Sequence, residues 1–230
     1  LNFGERIRPA MVVRFVPKAA RLVVPDVRCD LVLVNDRVML AGPLTHARLS
    51  MQSPDPITVA SFDPVTVRGW LKIPLDLITD RILPLADVAP KLAEPFAERL
   101  LTGSAAVLAL PRMPEFQAER RLAIATARLK GGWTVRATAE AVELSERQLE
   151  RIFQLELGLT PKLFARINRL RRGISEAKAG TGLADAAAIA GFADQSHFNR
   201  ELRALLGGPL SVLGPNVGNL QDIRHGAMAD

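Results

Sequence analysis

The stretch that most restricts what this chain can fold into is Gly191-Phe192-Ala193-Asp194-Gln195-Ser196-His197-Phe198-Asn199-Arg200. A glycine followed closely by an aspartate marks a turn leading into a helix, with Asp194 placed to accept from the unpaired first amides. Phe198 and Leu202, four apart, share one side of that helix and call for burial. Gln195, Ser196, Asn199 and Arg200 fall around the other side and are expected to be exposed. A short helix divided this way suits the major groove of a duplex, whose base edges offer acceptors and donors to Gln, Asn and Arg.

A comparable unit lies about fifty residues earlier. Glu115 to Lys130 carries Phe116, Leu122, Ala125 and Leu129 at helical spacing and ends at Gly131-Gly132, a C-cap signal. Val135 to Val142 then predicts a supporting helix, with Ala139 small enough for a second helix to cross closely, and Glu143-Leu144 as the turn. Ser145 opens the next helix, and Gln148, three positions on, completes a capping box. Leu149, Ile152 and Phe153 fall on one face of it; Arg147, Glu150 and Arg151 fall on the other. Thr160 is a good N-cap and Pro161 suits the first helical position of a connecting helix running to about Ala179. That helix holds Lys162, Arg166, Arg169, Arg171 and Arg172 before any acid, readable as phosphate contacts or as a solvated face, the latter favoured for about half of them. Leu183 to Ala190 supports the second unit.

Residues 133–213, with the run Ser145 to Arg166 and the stretch 191–200, closely resemble the double helix-turn-helix domain of AraC/XylS-type transcription regulators. The resemblance implies sequence-specific binding of double-stranded DNA that controls transcription, with a rigid connector setting two reading helices about one DNA turn apart. It assigns DNA contact to Ser145, Arg147, Glu150 and Arg151 in the first unit and to Gln195, Ser196, Asn199 and Arg200 in the second. RNA polymerase, a small-molecule effector and a homodimeric partner are the further partners it suggests; no cofactor is expected. Three departures stand out. Glu143 occupies a turn position where many relatives have glycine, which strains the backbone if φ is positive. After Gly207 the usual Ser/Thr-Pro is replaced by Gly208-Pro209-Leu210-Ser211. Glu146 and Glu150 place carboxylates on or beside the first reading helix, where they repel phosphates unless Glu150 accepts from a cytosine amino group.

The first half reads differently. Short β-branched runs at 11–13, 22–24, 31–34, 38–40, 57–59 and 65–67, separated by Pro, Asp, Asn and Gly, predict six strands in a small sandwich or barrel. Pro25 to Val32, Phe62-Asp63-Pro64 and Leu77 to Leu85 resemble the N-terminal domain that accompanies a subgroup of AraC-type regulators. After Pro74 the pattern turns helical, and 87–101 carries Val88, Leu92, Phe96 and Leu100 near a 3.6 period, with Pro90 and Pro95 as potential breaks. The expected architecture is therefore an α+β, β-rich regulatory or dimerising domain over 1–112, an all-α domain with two helix-turn-helix motifs over 113–213, and a flexible tail over 214–230.

Composition narrows the alternatives. The net charge of +6 divides as +2 over residues 1–115 and +4 over 116–230, consistent with a polyanionic partner. The single cysteine, Cys29, excludes an internal disulfide and any multi-cysteine zinc site and fits a reducing cytoplasm. It reads as a buried small hydrophobe rather than a redox sensor. His46, His197 and His225 lack metal-ligand spacing, and His197 reads more readily as a packing residue than as a contact. Phe15, Phe62 and Trp70 read as core before effector pocket. No apolar run approaches bilayer length and Leu1 to Arg8 is too polar for a signal peptide, so no membrane association is expected. The chain lacks a phosphate loop, a nucleophile elbow, paired catalytic carboxylates and a cofactor fingerprint, so it reads as a non-enzyme. Among relatives of the family, a DNA-repair regulator with a cysteine methyl acceptor is the nearest enzymatic rival, but its zinc-bound cluster cannot be built from Cys29 alone. The second rival is an interaction module whose helix-turn-helix has lost DNA contact, with Glu146 and Glu150 as its best support.

Overall fold

The computed structural model describes residues 6–7, 11–20, 22–50, 52–101, 110–111 and 117–209. The first elements are strands β1 (Arg6–Ile7), β2 (Met11–Phe15), β3 (Leu22–Val23), β4 (Cys29–Val34), β5 (Arg37–Ala41), β6 (Arg48–Leu49) and β7 (Ile57–Phe62). Helix α1 (Pro64–Leu71), a 3-10 turn (Leu75–Leu77), β8 (Ile82–Pro84), α2 (Leu85–Val88), α3 (Pro90–Leu101) and β9 (Leu110–Pro111) follow. Six helices come after it among the described residues: α4 (Gln117–Lys130), α5 (Val135–Ala141), α6 (Glu146–Leu157), α7 (Pro161–Lys178), α8 (Leu183–Ala190) and α9 (Gln195–Leu206).

The expected α+β region followed by an all-α region is present, but among the described residues the strands form no sandwich or barrel. They form one five-stranded antiparallel sheet in the order β2-β7-β4-β5-β8, with β1–β9 and β3–β6 as separate two-stranded ribbons. Alternation decides which face is covered. Cys29, Leu31 and Leu33 of β4 point the same way as Val38 and Leu40 of β5 and Ala60 and Phe62 of β7. They form a core with Val67, Leu71, Leu75, Ile78, Leu85, Phe96 and Leu100 from the helical segments. The helices shield that face, so no second sheet is needed to bury it.

Two segments depart from the sequence expectation. Val65 to Val67 is helix, because Asp63 accepts from Val65 N at 3.0 Å, Pro64 takes the first helical position, and Pro64, Val67 and Leu71 then bury on one side. Ile82–Pro84, expected to be helical, forms an edge strand on β5, where the missing proline amide costs no ladder bond. Pro90 does break the helix it interrupts, whereas Pro95 sits inside α3 on its exposed side. The expected boundary near 112–114, Phe116 and the tail 214–230 lie outside the described residues. Just before that boundary, Leu110–Pro111 pairs back onto Arg6–Ile7.

Packing crosses the expected boundary. Val24 is buried among α7, α8 and α9, with Leu22, Val27 and Ala47 against them. Val27 and Val65 also lie against the cluster formed by α4 to α7.

Candidate nucleic-acid interface

The first helix pair is α5 and α6. Thr134 caps α5 by accepting from Ala137 N at 3.1 Å. The turn after it closes with Glu143 N donating to Glu140 O (3.1 Å) and Leu144 N to Ala139 O (3.0 Å), the two bonds of a Schellman motif. The motif needs a left-handed residue at its centre, and Glu143 supplies it at φ 57, so the strain anticipated there is present. The second pair, α8 and α9, closes identically: Gly191 N donates to Ala188 O and Phe192 N to Ala187 O, with Gly191 at φ 86. The two units thus share one turn geometry despite different residues at the critical position.

Each reading helix starts on a built cap. Ser145 Oγ accepts from Gln148 N at 3.2 Å, and Ser145 N donates to Gln148 Oε1 at 2.9 Å, completing the capping box. The same hydroxyl donates to Gln148 Oε1, so Ser145 is committed to the cap before any other role. Asp194 Oδ1 accepts from His197 N at 2.6 Å. Leu149 and Phe153 on α6, and Phe198 and Leu202 on α9, are buried as expected. The exposed side chains are Arg147, Glu150 and Arg151 on α6 and Gln195, Ser196 and Arg200 on α9. Asn199 is a correction: it is half-buried, because it follows Phe198 on the shoulder of the helix rather than its crest. Among the described residues, none provides a hydrogen-bond or ion-pair partner to the side chains of these seven.

The connector α7 belongs to both units. Phe164 lies in the first core, its ring edge-on to Phe153 at 5.5 Å, while Ile167, Leu170 and Ile174 lie in the second. Its eighteen residues make a rod of about 27 Å. Its basic residues divide as follows. Arg166 forms a two-pronged pair with Glu201 of α9 at 2.9 and 3.2 Å. Arg171 turns toward Asp26 O, Arg172 donates to Lys130 O, and the Arg169 guanidinium stands 5.3 Å over Phe192. Only Lys162 is exposed without such a tie among the described residues. Most of this charge braces the protein itself, a role that a charge count cannot reveal.

His197 packs edge-on to Phe192 at 5.3 Å, in line with the packing reading. Phe62, Trp70 and Phe96 form an aromatic cluster in the sheet core, with Phe62 and Trp70 4.7 Å apart, while Phe15 is half-buried on β2. Cys29 is fully buried, and burial pushes its thiol pKa well up. No group of three metal-ligating side chains occurs among the described residues, and none of their helices is long and apolar enough to cross a membrane.

Residues 138–213 match the family model described as a helix-turn-helix domain, and this segment is a helix-turn-helix domain. Among solved structures, ToxT from Vibrio cholerae O395 is similar over 90% of this chain and 97% of its own, at 14% identity and a TM-score of 0.45. A structure of ToxT from Vibrio cholerae is similar over 88% of this chain and 96% of its own, at 12% identity and a TM-score of 0.44. Another, of the O395 protein bound to (E)-4-(8-methylnaphthalen-1-yl)but-3-enoic acid, is 13% identical over 87% of this chain and 96% of its own, with a TM-score of 0.45. No curated protein matches the chain by sequence.

Proposed function

We propose that the chain is an AraC-type transcription regulator that reads double-stranded DNA with α6 and α9 in successive major-groove segments. Residues 113–213 are the reading domain and residues 1–112 the regulatory or dimerising one. The observation that carries this reading is the pair of capped helices on a shared rod, each presenting exposed polar side chains near its N-terminal end. Recognition helices of this class contact base edges with their N-terminal residues. Arg147, Arg151, Gln195 and Arg200 are the donors best suited to guanine and adenine edges; Glu150 is suited to a cytosine amino group. Phosphate contacts supply much of the affinity, which makes binding fall steeply with salt.

A salt-titrated footprint over the DNA upstream of the coding sequence tests it. Protection of one segment, weakening with salt, is expected. Arg151→Ala and Arg200→Ala each lose about 1–3 kcal/mol of discrimination at one base pair. Unchanged preference in both variants would reject the contact assignment. The exposed carboxylates Glu146 and Glu150 favour a second reading, a protein-interaction module, and the absence of DNA protection at low salt would favour it.

A further inference from the structure

The last carbonyls of any helix lack partners within it. At the ends of both reading helices, a donor from the N-terminal half meets one of them. Thr79 Oγ1 donates to the carbonyl of Gly158, the C-cap of α6, at 2.8 Å; Leu75 O, 3.1 Å away, shares the same proton. The Ala47 amide donates to the carbonyl of Leu205, in the last turn of α9, at 2.7 Å.

These donors sit on neighbouring loops, 42–47 and 78–81, which are fastened to each other. Gly42 N donates to Arg81 O at 3.0 Å and Asp80 N to Pro43 O at 2.9 Å. The Asp80 carboxylate accepts from Thr45 N at 2.8 Å and from the Thr45 hydroxyl, with His46 Nδ1 3.7 Å away. Space is tight on both sides of the junction. A Cβ at Gly42 would lie 2.0 Å from Ile78 O, and one at Gly158 would lie 2.4 Å from Thr79 Oγ1. Helix α6 also rests more extensively on the 3-10 turn and on α1 than on the connector α7, and Arg68 of α1 stands 3.8 Å from Glu156 of α6. Helix α6 is therefore seated on the N-terminal half as well as on the connector.

We propose that loops 42–47 and 78–81 form one buckle that fixes the separation and tilt of the two reading helices from behind, making Thr45, Ala47, Thr79 and Asp80 positioning residues for DNA reading. The inference rests on the regulator reading and adds the part of the molecule that sets its spacing. It also gives Leu77 to Leu85, singled out by resemblance alone, a physical role.

The test uses the full chain with Thr79→Val and Thr45→Val, near-isosteric changes that remove only the hydroxyl, beside Thr79→Ser and Thr45→Ser, which keep it. Binding is measured to the footprinted duplex and to one with a single base pair inserted between half-sites, which rotates the second by about 34°. The wild type and the Ser variants discriminate against the insertion, and the Val variants lose roughly three- to tenfold of that discrimination, the scale of one hydrogen bond. An insertion penalty equal to wild type in both Val variants overturns the buckle. Spin labels at Ala141→Cys and Ala204→Cys, both exposed, give an independent reading without DNA. A distance distribution that broadens in the Val variants supports the buckle; one identical to wild type overturns it. If the wild type binds no duplex, the regulator reading fails while the label distances still decide the buckle.

Discussion

Asp30 shows how one residue can carry a pH dependence for the whole chain. It lies on β4 opposite Ser61, and its Oδ1 is out of reach of solvent with no hydrogen-bond partner among the described residues. Burial first, and then the neighbouring Asp26 carboxylate, push its pKa up to about 7, against the opposing pull of the Ser61 hydroxyl and the Arg28 guanidinium. Burial raises Asp26 as well, opposed by Arg171 and Arg28. The folded chain thus holds protons that the unfolded chain releases near its ordinary carboxylate pKa, so stability falls as pH rises from about 4 and levels off above about 7. Urea midpoints are expected to be higher at about pH 5 than at about pH 8, and Asp30→Asn is expected to remove most of the difference. Equal midpoints in the wild type would refute it. Gly173 matters through packing instead. A Cβ there would lie 2.7 Å from the buried Phe198 ring, so Gly173→Ala is expected to cost about 1–3 kcal/mol in denaturant unfolding.

Elements were legible in the sequence where their signals are local. The caps at Ser145, Thr160 and Asp194, the burial of Leu149, Phe153, Phe198 and Leu202, and the extents of α5, α7 and α8 follow from side chains within a few residues of each other. Val65 to Val67 misleads because its alternation imitates a strand while the deciding signal, Asp63-Pro64, lies just before it. Ile82–Pro84 becomes a strand only because β5 offers an edge, a partner about forty residues away. The same holds at the candidate site: exposed polar positions could be read from periodicity, whereas the Arg166–Glu201 pair could not. That pair joins α7 to α9 across thirty-five residues and is partly buried on both sides. Removing one partner leaves a charge without its counterpart. Glu201→Gln is therefore expected to weaken DNA binding and to speed amide exchange in α9 ahead of α4, and equal exchange in both helices would show that the pair holds nothing in place.

At the scale of the molecule, the halves share side chains. Val24 is buried in the core of α7 to α9, and Val27 and Val65 lie against the core of α4 to α7. Unfolding one half would uncover apolar surface on the other, so a single transition is expected. Fluorescence of Trp70 in a Trp133→Phe background, compared with far-ultraviolet circular dichroism of the helices, should give coincident melting curves, and two separated steps would contradict it. The rod α7 carries a further consequence. One added residue between Phe164 and Ile167 would swing one core about 100° around the rod relative to the other. Insertions and deletions in that short stretch are thus barred to its descendants, and lineages that acquire new target sequences must do so by exchanging side chains on a frame whose length stays constant.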